Sequence, residues 1–279
     1  MNDTTDWFDV TSLGEGRYQV SEGEGQLPCH SFVVTDGGEA VLIDTGLGVG
    51  DLRETVVDLA GVVPRVVLTH SHWDHIGAAH QFDDVVIDER ERGADGRVAI
   101  DSLTDEFNMR PGQFVAGWLE QGKEFPDGFD PDSYAIEPVD DVGLVEPGET
   151  LSVGSIPLEV IGIPGHSSGQ LALLDRDAGI CFGADLVEPG SGAHAHLEFS
   201  DLDVYRETMD RVIDYRDEGA FDTIVTGHCE PIEDLSILDD MKTALEAVAD
   251  GTAAYTVIET NYGPTREYSV AGVDVLTSD

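Results

Sequence analysis

Short apolar runs alternate along the chain with glycine-, aspartate- and histidine-rich breaks, a rhythm that predicts strands and helices in turn. Residues 17–20 and 31–35 read as strands, and the unbroken run at 40–43 reads as a buried one that stops at Asp44-Thr45-Gly46. A helix is expected over about 50–60. The run Arg65-Val66-Val67-Leu68-Thr69 is the next strand and leads directly into His70-Ser71-His72-Trp73-Asp74-His75, which completes a β-α-β unit. Beyond Ile87 strand character is lost. From about 89 to 140 the spacing turns helical, with Leu103 and Phe107 on one face and Phe114 and Trp118 on another, separated by Pro111; two short helices and a loop are expected.

The strand rhythm resumes at 151–153 and 158–163. A hairpin is expected from 171–174 through the Asp175-Arg176-Asp177-Ala178-Gly179 turn into 180–182. Helices at about 202–218 and 237–250 bracket a strand at 223–226 that ends at Gly227-His228, and residues 255–277 read as terminal edge strands. The fold class is therefore α/β, organised as one domain over 1–279 with a helical, lid-like insert at about 89–140. At 279 residues the chain can bury a large core, and it shows neither low-complexity segments nor repeats.

Charge narrows the partners. The chain carries 57 Asp and Glu against 14 Lys and Arg, a formal net charge of −43, and the acids are spread from end to end rather than gathered in a tail. Such a surface repels itself in dilute buffer and is relieved at molar salt, where the screening length falls to about 3 Å. In this it resembles proteins of extreme halophiles. Nucleic acid and anionic membrane are not expected as partners, because both require clustered basic groups. The first residues lack the basic start and apolar run of a secretory signal, and no later stretch is long and apolar enough to span a membrane, so a cytoplasmic location is expected. Cys29, Cys181 and Cys229 are too few and too irregularly spaced for a disulfide framework and read as small buried hydrophobes.

The densest chemistry is the segment His70 to His75, with four potential metal ligands in six positions. Residues two apart in an extended segment point the same way, so His70 and His72 can grip one ion while Asp74 and His75, past the turn, face a neighbouring one. Three more residues follow apolar strands in the second half: His166 in Pro-Gly-His-Ser-Ser-Gly, Asp185 in Phe-Gly-Ala-Asp, and His228 in Thr-Gly-His-Cys-Glu.

In this order of motifs, an aspartate after an early strand, HxHxDH, then His166, Asp185 and His228, the sequence resembles the metallo-β-lactamase superfamily, in its hydroxyacylglutathione hydrolase, thioesterase and lactonase branch. The resemblance covers Asp44 to His228. It implies a four-layer αβ/βα sandwich and two divalent ions, zinc first, with iron or manganese as substitutes. It further implies that His70, His72 and His166 hold one ion, that Asp74, His75 and His228 hold the other, that Asp185 bridges them, and that Asp44 stands behind the ligands. Two ions so placed activate a water that attacks an ester, thioester or lactone carbonyl, with Asp74 as the catalytic residue that orients the nucleophile and moves its proton. The expected partner is a small molecule, one with an apolar acyl group if the insert's aromatics, Phe107, Phe114, Trp118, Phe125, Phe129 and Tyr134, cover the site, with Phe114 and Trp118 foremost in lining a slot. Nothing in the sequence indicates an oligomeric state.

Two other reactions compete. Gly165-His166-Ser167-Ser168-Gly169 also fits the nucleophile elbow of serine α/β-hydrolases, with Asp185 and His228 following in that order. An elbow needs strand, turn and helix, whereas a hairpin of strands is expected here. Iron on the same scaffold supports oxidative chemistry of the persulfide dioxygenase kind. His194 and His196 are candidates for substrate contact; His30 and His80 are read as structural or surface residues, and Gly46, Gly48 and Gly50 as a tight turn rather than a phosphate loop.

Overall fold

In a computed structural model of the chain, residues 7–23, 27–99, 110–190, 192–197, 199–260 and 263–278 are described. They fall into two compact units: Met1–Val145 with Ser152–Ile156, and Glu146–Leu151 with Pro157–Asp279.

The first unit is built on a seven-stranded sheet whose spatial order is its chain order: β1 (Asp9–Gly14), β2 (Arg17–Glu22), β3 (Cys29–Asp36), β4 (Glu39–Ile43), β5 (Arg65–Val67), β6 (Val85–Ile87) and β7 (Gly143–Leu144). The first four pair antiparallel; from β4 onward the pairing is parallel. Parallel strands need crossovers, and α1 (Leu52–Ala60) supplies the one between β4 and β5. Asp51 caps that helix by accepting from Glu54 N at 2.8 Å, and Gly61 ends it in a left-handed turn at φ 72°. Leu52 and Val56 are its buried face, set against strands whose Val33, Leu42, Val66 and Val67 are inaccessible to solvent. The expected strands at 17–20, 31–35, 40–43 and 65–69 all form, β5 being shorter than the apolar run. β1 was not expected, since its residues are almost all exposed and carry no clean alternation.

Of the helices expected between 89 and 140, α3 (Arg110–Glu120) forms, after the four-residue α2 (Trp73–Ile76). Pro111 lies in α3's first turn, where its missing N–H costs nothing, so it opens the helix instead of breaking the segment. The helix expected around Leu103 and Phe107 lies outside the described residues.

Two further sheets belong mainly to the second unit. One has the order β13-β11-β10-β9-β8, from β8 (Thr150–Val153), β9 (Ile156–Gly162), β10 (Leu171–Asp175), β11 (Ile180–Phe182) and β13 (Thr223–Val225). The other has the order β12-β16-β15-β14, from β12 (Ala193–Ala195), β14 (Tyr255–Thr260), β15 (Gly263–Val270) and β16 (Val273–Thr277). Helices α4 (Leu202–Asp217) and α5 (Ile237–Ala249) cover them with a core that includes Ile161, Leu174, Met209, Val212, Leu245 and Val275. The hairpin at 171–182 forms as expected, and the terminal strands fold as a meander. Among the described residues no helix is long and apolar enough to cross a membrane.

Candidate metal centre

In the first unit the histidines gather at the carboxyl ends of β4 and β5, where backbone ladders stop and side chains turn toward the sheet edge. His70, His72 and His75 are buried, with ring centroids 4.4 Å apart for His70 and His72 and 4.2 Å for His70 and His75. Asp74 is half-buried beside them.

The anchor is Asp44. It ends β4 in the left-handed region at φ 59°, an uncommon conformation for a residue with a Cβ. That backbone turn aims its carboxylate under the next strand: Oδ1 accepts from Thr69 N at 2.7 Å, and Oδ2 accepts from Thr69 Oγ1 at 2.7 Å and faces His75 Nδ1 at 2.8 Å. Thr69 Oγ1 also lies 3.0 Å from His70 Nδ1. The threonine hydroxyl has one hydrogen and gives it to Asp44, so toward His70 it accepts; both His70 and His75 are thereby assigned Nδ1–H, with a lone pair on Nε2. Neutral imidazoles held by Nδ1 and offering Nε2 are the form that binds a metal, and a carboxylate or hydroxyl behind the ring is the usual means of holding it. The donor set therefore fits a divalent ion of the zinc or iron kind.

Two further buried carboxylates grip the loops around this cluster. Glu91 accepts from Ser71 N at 3.1 Å and from Ser71 Oγ at 2.7 Å, which fixes the peptide between His70 and His72. Glu22 accepts from Leu47 N at 2.7 Å and from Trp7 Nε1 at 2.5 Å, while the Tyr134 hydroxyl donates to Leu47 O, so the Leu47 residue is pinned through both its backbone polar groups. That loop is laced to α2: Thr45 N and Oγ1 donate to His75 O, and Gly77 N donates to Gly46 O at 2.8 Å. A Cβ on Gly77 would lie 2.2 Å from Leu47 C, so only glycine permits the approach. Gly46 and Gly48 take positive φ, as expected for a tight turn.

Burial outweighs the two hydrogen bonds at Glu22 and raises its carboxyl from 4.5 to about 7. Below pH 4.5 the group is protonated folded or unfolded and costs nothing. Between pH 4.5 and 7 the folded protein keeps a proton that the unfolded chain has released, so stability falls as pH rises, and the loss levels off above 7 at on the order of 3 kcal/mol. Glu22→Gln keeps an acceptor for Leu47 and should remove this slope. Urea midpoints of both proteins from pH 5 to 8 test it; a difference between them that does not change with pH rejects the assignment.

In the second unit the loop between β9 and β10 carries His166, the turn after β11 carries Asp185, and the turn after β13 carries His228. Asp185 Oδ2 lies 3.4 Å from His166 Nε2 and 3.6 Å from His228 Nε2, so one carboxylate oxygen stands between two imidazoles. Helix α4 and its N-cap hold the first two of these connections: the Tyr205 hydroxyl donates to Leu186 O at 2.5 Å, Thr208 Oγ1 donates to Pro164 O at 2.6 Å, and Asp201 N donates to Gly165 O at 2.8 Å. Gly165 has φ 138° and packs so closely that a Cβ would lie 2.5 Å from Tyr205 Cα. Ala184, immediately before Asp185, is left-handed at φ 46°, a second strained residue beside a candidate ligand. The His194 ring is 6.2 Å from that of His166 and 5.5 Å from that of His196.

His70 and His72 thus follow β5, Asp74 and His75 lie in α2, and His166, Asp185 and His228 follow strands of the second unit. Ser167 does not sit on an elbow: it lies in the connection between two antiparallel strands, β9 and β10, with no helix following. The placing of Phe114 and Trp118 over a slot is corrected. Only 4% and 6% exposed, they pack into a layer with Trp7, Trp73 and Phe125, with ring centroids 5.2–6.2 Å apart, and Trp118 Nε1 donates to Glu124 O. Sequence reasoning missed Glu22, Glu91, Thr69 and Tyr205. The one local sign for Glu22 is its place two residues after buried Val20, on the same side of β2. Cys29 and Cys181 are buried, as expected, and burial pushes the Cys181 thiol up to about 12; Cys229 is half-exposed.

Known proteins resemble this chain in sequence and in fold. Human acyl-coenzyme A thioesterase MBLAC2 is 28% identical over 241 residues, covering 80% of this chain and 81% of its own. A metallo-β-lactamase from Pontibacter korlensis superposes with a TM-score of 0.58 at 21% identity, over 86% of this chain and 99% of that one. A metallo-β-lactamase family protein from Thermus thermophilus gives 0.57 at 20%, over 86% and 82%. The family profile described as metallo-beta-lactamase superfamily matches residues 25–228, and with the α/β fold and the ordered histidine and aspartate motifs it places this chain as a member of the metallo-β-lactamase superfamily.

Proposed function

We propose that the chain is a metal-dependent hydrolase of acyl esters and thioesters, that its two units act as one domain, and that their ligands serve a single two-ion centre. His70, His72 and His166 would hold one ion and Asp74, His75 and His228 the other, with Asp185 shared. Zinc suits the imidazole and carboxylate set, and iron or manganese can replace it. The observation that carries the reading is the Asp44–Thr69–His70 and Asp44–His75 network, which commits two buried imidazoles to the metal-binding tautomer. The thioester preference is supported by the similarity to a human acyl-coenzyme A thioesterase.

Bound ions would supply Lewis acidity and lower the pKa of water. The chain's own residues do the rest. Asp74, half-buried among the histidines, accepts the proton of the attacking water and returns it to the leaving group. Thr69 and Asp44 keep the His70 and His75 rings from turning and Glu91 holds the Ser71 peptide between His70 and His72, so geometry is set before substrate arrives. The dispersed acidic surface fits a cytoplasm of high salt, and a melting midpoint that rises with potassium chloride would bear this out.

Metal analysis and a chelator test the whole. Protein purified in molar potassium chloride should carry close to two ions, lose hydrolysis of acyl thioesters on chelation and regain it with zinc, while Ser167→Ala stays within about threefold of wild type. Full activity without metal, or loss of activity in Ser167→Ala with metals intact, overturns the reading; iron with oxygen consumption and no hydrolysis would replace it by oxidation.

A further inference from the structure

The first unit carries a groove of about 830 Å³ that contains none of the candidate ligands. Trp7, Phe8, Val49, Leu59, Phe129 and Tyr134 form its apolar lining. The volume falls in the range of small-molecule sites, about 300–1,000 Å³.

Three features make this a preformed slot. Its walls are fixed: the Trp7 indole is held by Glu22, the Tyr134 hydroxyl by Leu47 O, and Phe129 is wedged between Phe125 and Tyr134 at ring-centroid distances of 4.4 and 5.2 Å. One end approaches the chemistry, since the Tyr134 hydroxyl donates to Leu47 O and groove-lining Gly48 abuts Gly77, two residues past His75. The rim carries Asp51, Glu54, Asp58, Asp127, Asp130 and Glu137, and among the lining residues His80 alone can become positive. A chain ending in carboxylate or phosphate meets one sign of charge along the whole edge, whereas a neutral chain does not.

Building on the hydrolase reading, we propose that this groove binds the acyl part of the substrate and selects an uncharged, medium-length chain against one that ends in a carboxylate. Phe114 and Trp118 are then the layer behind the slot and not its surface.

Octanamide and suberamic acid, the same chain length with and without a terminal carboxylate, are the probes, read by tryptophan fluorescence of the full-length protein. Octanamide should bind saturably and suberamic acid at least about tenfold more weakly, with the gap narrowing as potassium chloride is raised, because screening weakens charge exclusion but not a steric one. Phe129→Ala should weaken octanamide about tenfold and flatten the dependence of kcat/KM on acyl length from acetyl to octanoyl thioesters, with metal content and acetyl turnover unchanged. Leu59→Gln, a half-buried position in the last turn of α1 that also lines the groove, should act in the same direction should Phe129→Ala fold poorly. Equal binding of the two probes, no binding of either, or both variants leaving affinity and length dependence untouched overturns the proposal. Groove-dependent octanamide binding in a protein that hydrolyses nothing would instead retain the slot and discard the hydrolase.

Discussion

His72→Ala and Asp185→Asn, made singly, are each expected to reduce bound metal below two ions per chain and to lower thioester hydrolysis by at least about a thousandfold. His72 is 6% exposed and packs on His70, so alanine there removes a donor that water replaces poorly in a buried setting. Asp185 offers an oxygen within 3.6 Å of both His166 and His228; asparagine keeps the shape but gives up the negative charge that two cations would share. Since the catalytic power of such a centre lies in charge held in place, losing one ligand should reach kcat and leave the fold largely alone. Metal content by emission spectroscopy, circular dichroism and single-turnover rates separate the effects. Two variants with full metal and wild-type rates would remove these residues from the site.

Asp44→Ala should be the most damaging change behind the ligands. It strands the Thr69 amide, the Thr69 hydroxyl and His75 Nδ1–H in a region where Asp44 is 2% exposed, and breaking a buried charged network of this sort costs about 3–5 kcal/mol. Alanine would also have to hold φ 59° without the hydrogen bonds that now hold Asp44 there. Asp44→Asn separates stability from chemistry. Its oxygen can still accept from Thr69 N, but its amide group would meet His75 Nδ1–H donor to donor, which pushes the ring toward the Nε2–H tautomer and takes away the lone pair meant for metal. The expected result is a smaller loss in urea stability with a ten- to hundredfold weaker second ion. Nitrogen chemical shifts of His75 report the tautomer directly; an Asp44→Asn protein with unchanged shifts and unchanged affinity would show that Asp44 serves packing alone.

How much of this was legible in the chain follows from how local each signal is. β4 and β5 announced themselves as unbroken apolar runs, because buried strands have no polar side to show. The His70–His75 cluster was legible because its ligands are neighbours in sequence. β1, β7 and β12 were not, being short or exposed, with no periodicity to carry them. Glu22 and Glu91 were invisible for a different reason: in a chain with 57 acids, a buried carboxylate looks like every other one until its partners, Leu47 and Trp7 or Ser71, are brought to it. The aromatics between 114 and 134 were legible as a group, but their division into an inner layer and a groove wall depends on Trp7 and Trp73, which come from elsewhere in the chain.

By itself the sequence determined the class of fold and the run of its main strands and helices, and it singled out the candidate ligands, since hydrophobic period, turn residues and side-chain chemistry are properties of short segments. Tertiary structure alone decided which hydrogen each imidazole keeps, which of many acids is buried and lifted to about 7, that Ser167 lies between antiparallel strands, and which rings face a groove. Those outcomes depend on contacts such as Asp44 with His75 and Glu22 with Leu47, joined across 31 and 25 residues of chain, and no local pattern encodes a partner that only folding supplies.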